Sequence, residues 1–332
     1  MIRVLRMLES MGIPFSLDEP LKDHCTWRIG GPADLFVQPR TDEEVAATVS
    51  ALCRNDVPWL VIGRGSNLLF DDDGFRGAVL KIGRSLGGFE IREDRITVRA
   101  GTWAPCLARA SASAGLSGLE HTVGIPGNVG GLIAMNGGSL RRSIGDSVEW
   151  VRFLDEDGAL KVFSTEECGF SYRRSSFQDG RRVVVEAGLR LKRSTPGDVR
   201  SEMEDVLRER RRKFPLGYPN CGSVFSNDPE IFSLWGAPGR VIERCGLKGL
   251  RLGDAMVSEK HANFIINLGD AGSSDVIGLV RTIRSVVRDS IGRDIPCEVR
   301  YVEPEKGMVP LHEIFRSGDN PRLEQKEQEK GS

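Results

Sequence analysis

The stretch WLVIGRGSNLLFDDDG, residues 59–74, decides between two different folds. Trp59–Ile62 is apolar enough for a buried strand, and it runs directly into Gly63-Arg64-Gly65-Ser66-Asn67. A strand that ends in closely spaced glycines invites a Rossmann dinucleotide site. That fingerprint requires a third glycine where this chain has Leu68, and a helix where it has the turn residues Asp71–Gly74. The Rossmann reading fails on both counts. What survives is local: consecutive backbone N–H groups in a glycine turn form an anion-binding hollow without a helix dipole, and Ser66 and Asn67 add side-chain donors.

A second loop, Gly124-Ile125-Pro126-Gly127-Asn128-Val129-Gly130-Gly131, lies in the densest glycine region and offers the same chemistry. Either loop alone is equally well explained as a structural turn. Two such hollows are what a pyrophosphate requires, so the pair fits a dinucleotide. No Walker lysine follows either loop, which argues against a P-loop NTPase.

The chain of 332 residues is long enough for two domains, each with its own core. Hydrophobic residues at 39% and charged residues at 28% are ordinary for a soluble globular protein. A net charge of -1 leaves no broad basic surface for nucleic acid or an acidic membrane. The seven cysteines form no CxxC pair and are odd in number, which argues against a disulfide framework and a zinc knuckle and implies a reducing, cytoplasmic compartment. The four histidines lack metal-ligand spacing, so no metal is expected. The N-terminal stretch MIRVLRMLESMGIPF places Ile2, Leu5 and Leu8 on an apolar face broken by Arg3, Arg6 and Glu9, an amphipathic helix rather than a signal peptide. No stretch reaches the length of a membrane span.

Helices are predicted after Thr41, which can cap with Glu44 placed for a capping box, and over Ala104–Ala114 with Gly115 as a stop. A third begins near Val199, with Val199, Met203, Val206 and Leu207 on one side; its RERRRKF end reads as a solvated charged face. A fourth carries Val276, Val280, Ile283 and Val287 at helical spacing and stops at Gly292. GGFEIREDRITVRAG alternates like a hairpin, and VEWVRFLDEDGALKVF and VVVEAGLRL read as further strands. The pattern is α+β in two parts meeting near Pro196. The expected division is an N-terminal helical segment over 1–25, a first domain over 26–195, a second over 196–303, and a polar, mobile tail over 304–332.

Six stretches occur in one order: TWRIGGPADLFV, VIGRGSNLLF, LSGLEHTVGIPGNVGGLIAMN, GFSYRRSSF, PLGYPNCGSVFSN and LRLGDAMVSEKHANFIIN. Together they closely resemble the UDP-N-acetylenolpyruvoylglucosamine reductases, over residues 26 to 302 and in their shorter subtype. The resemblance implies a two-lobed FAD-binding domain of the vanillyl-alcohol-oxidase type, then a smaller α+β substrate domain. It implies noncovalent FAD, NADPH as electron donor, and a UDP-sugar substrate in cytoplasmic peptidoglycan precursor synthesis, hence a role in cell-wall biogenesis, cell shape and division. The glycine loops, Gly63 to Leu68 and Gly124 to Gly131, become the cofactor-binding residues. The chain departs from the family pattern at GGSLRRSIGD, residues 137–146, where a small-residue run containing Tyr-Gly is usual, and at Asn128, where Thr is common.

Reducing an enol ether of pyruvate requires a hydride donor, a clamp on the charge driven into the carboxylate, and an acid beside the carbon that bears it. Side chains cannot deliver hydride, so a cofactor must. Arg173 matches the family's catalytic arginine, and a guanidinium can grip a carboxylate through two parallel bonds. Glu298 matches its glutamate; beside a second carboxylate it is expected to work protonated or through a shared proton, its pKa raised by burial and like charge. Ser223 matches the general acid. It is not a nucleophile elbow, because Cys221 and Phe225 occupy the flanking glycine positions. Without the resemblance, Arg173 reads as a surface ion-pair residue, Glu298 as a partner for Arg300, and Ser223 as a turn residue. Tyr172, Tyr218, Asn227, Lys260 and His261 are candidate substrate contacts, with a scaffold role open for the last two. Two other functions stay open: another flavin oxidase or dehydrogenase, and a noncatalytic nucleotide-binding protein. A monomer is expected.

Overall fold

In a computed structural model of the chain, residues 1–178 and 180–315 are described. Thr41 caps the helix Asp42–Arg54, accepting from the Glu44 N–H at 3.2 Å. The Glu44 carboxylate does not complete a capping box; it takes the Arg40 N–H at 2.7 Å and the Arg40 guanidinium instead. Helix Ile2–Met11 buries Val4 and Leu8, while Ile2 is 69% exposed. The strand Phe15–Pro20 and the short 3-10 helix Leu21–His24 follow, so the segment 1–25 is helical at both ends with a strand between them. No helix among the described residues is long and apolar enough to cross a membrane.

The chain divides into two units that are interleaved in sequence. The first comprises Met1–Glu19, Asp34–Arg64 and Gly77–Arg212. Its main sheet has five antiparallel strands in the order Leu160–Ser164, Val148–Leu154, Val183–Arg190, Arg95–Arg99, Phe89–Arg92. The predicted hairpin supplies one edge, the strands read in VEWVRFLDEDGALKVF pair as a second hairpin at the other, and Val183–Arg190 is its buried centre. Trp59–Ile62 pairs parallel to Phe75–Lys81 in a second sheet, with Leu60 opposite Val79. The helix Pro196–Lys213, expected to open the second domain, buries Val199, Met203 and Val206 in the first unit's core. That burial moves the boundary from 196 to 212.

The second unit gathers Pro20–Ala33, Gly65–Arg76 and the chain from Lys213 on. Leu68–Phe70 lies parallel to Arg300–Glu303, and Leu68 faces Arg300. Trp27 is fully buried, donating its Nε1–H to the Ile265 carbonyl at 3.0 Å, while the Asn267 amide returns a bond to the Trp27 carbonyl at 3.1 Å. Helix Ser273–Ile291 turns Val276, Val280, Ile283 and Val287 inward and ends at Gly292 with φ 68. The tail expected from 304 is structured at its start. Gly307, at φ 84, closes a hairpin from Arg300–Glu303 to Gly307–Pro310, and Leu311 and Ile314 beyond it are buried. Residues 316–332 of that expected tail lie outside the described residues.

Candidate functional site

The candidate residues fall into both units. In the first, Gly63 ends the strand Trp59–Ile62, and a Cβ built on it would lie 3.6 Å from Asn128 Cβ, so the two glycine loops meet here. The Asn128 side chain is committed to that meeting: its amide donates to the Ile82 carbonyl at 2.9 Å. Three loop N–H groups are directed into the protein as well, Ile125 to Thr122, Val129 to Thr102 and Gly130 to Ala100, each at 2.9 Å. These bonds narrow the expected hollow. A Cβ on Gly131 would meet no atom within 4 Å, so the open face of the loop lies there. Arg210 closes the other end: half-buried, it lies so close to Gly124 that a Cβ there would overlap its Nε and Cδ. The RERRRKF end of its helix is therefore not a uniformly solvated face, and burial lowers the Arg210 pKa. A glycine-walled hollow with a desolvated cation beside it fits the diphosphate of a dinucleotide such as FAD.

The turn Ser171–Arg174 carries Arg173 in the same unit. Arg173 has φ 54, a left-handed backbone uncommon for a residue with a Cβ. Its Nη2 donates to the Gly138 carbonyl at 3.0 Å, and its guanidinium lies 5.5 Å over the ring of Tyr172, itself 55% exposed.

In the second unit, Gly65 has φ 60, and a Cβ there would come within 2.6 Å of the His24 carbonyl and 2.7 Å of Cys25 Cα; only glycine fits. Ser66 is half-buried in the turn that follows. Asn67 is fastened on both sides, its amide to the Glu298 carbonyl and its carbonyl to the Arg300 N–H, each at 3.1 Å. Leu68 begins a core strand and is buried, whereas Arg64, the last residue of the first unit's portion of the loop, is exposed.

Ser223 and Glu298 are brought together. The Glu298 N–H donates to the Val224 carbonyl at 2.8 Å, and Phe225 bridges Cys297. The two candidates therefore sit on adjacent extended segments, each half-buried. Asn263, which sequence reasoning passed over within SEKHAN, fixes the serine segment. It accepts from Phe225 N–H at 2.8 Å, donates to the Phe225 carbonyl at 2.9 Å, and takes the Val224 N–H on its own carbonyl at 2.9 Å. An asparagine so placed mimics a strand edge, which no local pattern reveals. Next to the serine, the buried Cys221 thiol is pushed well up, first by burial and then by the charge of Glu298.

The remaining candidates separate. His261 is packed among Phe214 and Phe264, with ring centroids 5.4 and 5.0 Å away, and its Nδ1 accepts the Asn263 N–H at 3.2 Å. That is a scaffold position, and burial lowers its pKa. Lys260 and Asn227 are exposed, and Tyr218 is 50% exposed in the PLGYP turn.

Comparison with known proteins places these halves in a family. A model of an FAD binding domain matches residues 33–164, and a model of the UDP-N-acetylenolpyruvoylglucosamine reductase C-terminal domain matches residues 214–302. UDP-N-acetylenolpyruvoylglucosamine reductase 1 of Corynebacterium glutamicum is 42% identical over 300 residues, 90% of each chain. The Heliobacterium modesticaldum reductase is 39% identical over 291 residues, covering 88% of this chain and 91% of its own. The crystal structure of UDP-N-acetylenolpyruvylglucosamine reductase from Thermus caldophilus superposes with a TM-score of 0.73 at 36% identity, covering 87% of this chain and 98% of that one. With identity at this level along nine-tenths of both chains, and both halves matched in order, the chain belongs to the UDP-N-acetylenolpyruvoylglucosamine reductase family.

Proposed function

We propose that this FAD-dependent oxidoreductase reduces the vinyl group of UDP-N-acetyl-3-O-(1-carboxyvinyl)-glucosamine to give UDP-N-acetylmuramate, with NADPH as reductant, in the cytoplasmic stage of peptidoglycan synthesis. In this reading the first unit is chiefly the cofactor portion and the chain from Lys213 on chiefly the substrate portion, and the protein acts as a monomer without nucleic acid or membrane insertion. Family membership supports the reaction, and one geometric observation supports the residues: the segments that carry Ser223 and Glu298 pair through the Glu298 N–H to Val224 carbonyl bond at 2.8 Å.

FAD held by the glycine loops and reduced by NADPH would supply the hydride that reduction of the vinyl group needs. Arg173 clamps the substrate carboxylate and the negative charge that develops on it, a preorganised cation aimed at the place where charge grows. Ser223 gives its hydroxyl proton to the carbon bearing the carboxylate and regains one from solvent, so NADPH and one proton are consumed per double bond. An alcohol is a weak acid, but an enolate is a strong base, which shrinks the mismatch. Glu298 acts beside the substrate carboxylate protonated or through a shared proton, since two ionised carboxylates would repel each other. The glycine loops hold the FAD diphosphate, Gly131 offering the open face. Tyr172, Tyr218, Asn227 and Lys260 are exposed enough to reach the sugar nucleotide, and His261 shapes the wall.

The test is NADPH oxidation by the yellow, flavin-loaded protein with and without the enolpyruvyl sugar nucleotide. Strict dependence on that substrate is expected. Oxidation of equal rate without it, or a protein that takes up no flavin, sinks the reading.

A further inference from the structure

Arg173 adopts its left-handed backbone inside a clasp made largely by the segment from Ala134 to Gly145, which overlaps the stretch where the chain departs from its family pattern. Ser171 and Arg174 exchange backbone bonds at 3.1 and 3.0 Å and close a tight turn around Tyr172 and Arg173. Two amide side chains then fix that turn. The Gln178 Nε2–H donates to the Arg173 carbonyl at 2.7 Å and to Met135 Sδ at 3.4 Å. The Asn136 amide donates to the Ser171 carbonyl at 2.8 Å, and its Oδ1 accepts the Gly145 N–H at 3.0 Å. Asn136 is itself left-handed, at φ 41, and only 5% exposed. The Ser175 hydroxyl adds a bond to the Ala134 carbonyl at 2.7 Å. At the far end of the side chain, the Gly138 carbonyl receives Arg173 Nη2.

We propose that Gln178 and Asn136 are positioning residues that preset Arg173 for the substrate carboxylate. The inference rests on the proposed role of Arg173. A strained backbone persists only where its surroundings over-determine it, and here two amides supply that determination. Without them the turn relaxes toward ordinary φ, and the guanidinium swings away from the line set by Gly138. Misplacing a binding group by about 1 Å costs on the order of 10²-fold in rate.

The test is a double-mutant cycle of Gln178→Met and Arg173→Ala in the flavin-loaded protein, with the two half-reactions followed separately. Gln178→Met is expected to leave flavin content and flavin reduction by NADPH unchanged, and to slow flavin reoxidation by the enolpyruvyl substrate by about 10²-fold. In the Arg173→Ala background the same substitution should change reoxidation by less than about twofold, because its route of action is gone. Calorimetric affinity of the oxidised holoenzyme for UDP-N-acetylmuramate, which carries the same carboxylate, should fall with Gln178→Met and be no lower in the double variant than in Arg173→Ala alone. Equal slowing in both backgrounds would show a merely structural role and overturn the proposal. So would a fast Gln178→Met enzyme beside a slow Arg173→Ala one. A fast Arg173→Ala enzyme would instead remove the reading of Arg173 and the proposal with it. Asn136→Asp, which keeps the acceptor for Gly145 and loses the donor to Ser171, should reproduce the pattern and stands in if Gln178→Met does not fold.

Discussion

His121 sits just ahead of the second glycine loop, 1% exposed, with neither ring nitrogen hydrogen-bonded among the described residues. Burial, and next the Arg142 guanidinium, push its pKa down to about 4; Asp146 and Glu120 oppose them only in part. The folded protein thus holds the ring neutral, while the unfolded chain protonates it near the ordinary value of 6.5. Since the unfolded state binds more protons between these values, stability is full above pH ~6.5 and is lost as pH falls toward ~4. The loss from this one group is about 2 kcal/mol by pH ~5 and about 3 kcal/mol by pH ~4. His121→Phe keeps the ring volume and removes the titration. Urea unfolding at about pH 7 and about pH 5 should show wild type losing about 2 kcal/mol more than the variant between the two conditions. Parallel losses in both proteins would mean that the imidazole is solvated or partnered in solution, and the argument from burial would fail.

Ser223→Ala should still allow NADPH to bleach the flavin, while reoxidation by substrate in stopped flow slows by about two to four orders of magnitude; normal reoxidation would remove the serine as acid. Gly124→Ala must displace the half-buried Arg210 side chain and should lower stability by about 1–3 kcal/mol in urea and weaken FAD binding measured by flavin fluorescence. Leu311→Ala, at a residue with no exposure, should cost about 2–5 kcal/mol in the same unfolding assay, which would be absent if the chain beyond Glu303 were a loose tail.

The helices were readable because their signals are local. Val276, Val280, Ile283 and Val287 lie on one stripe, and Gly292 stops it within the same segment. The hairpins within Phe89–Arg99 and Val148–Ser164 were readable for the same reason. Two things were not. The glycine loops announced themselves by composition, yet the destination of each N–H depends on Ala100, Thr102 and Thr122, whose approach no short pattern encodes. The chain after Glu303 read as a terminus because Pro304, Glu305 and Lys306 are turn-forming and polar, while the apolar Met308, Val309, Leu311 and Ile314 behind them are too few to register as an element without their partner strand. Within the candidate site, Ser223 and Glu298 were singled out through motif resemblance, whereas Asn263 and Arg210 drew notice only once the chain was folded.

The burial of Trp27 has a consequence for biogenesis. Its indole partner, the Ile265 carbonyl, lies 238 residues downstream. At translation rates of about 5–20 residues per second, this fully buried indole waits on the order of tens of seconds before its receptor has been synthesised. During that interval an apolar surface is open to chaperones and to neighbouring nascent chains. An mRNA truncated near codon 212 would therefore release a polypeptide whose first unit can close while Trp27 stays without its cover, a natural substrate for quality-control proteolysis.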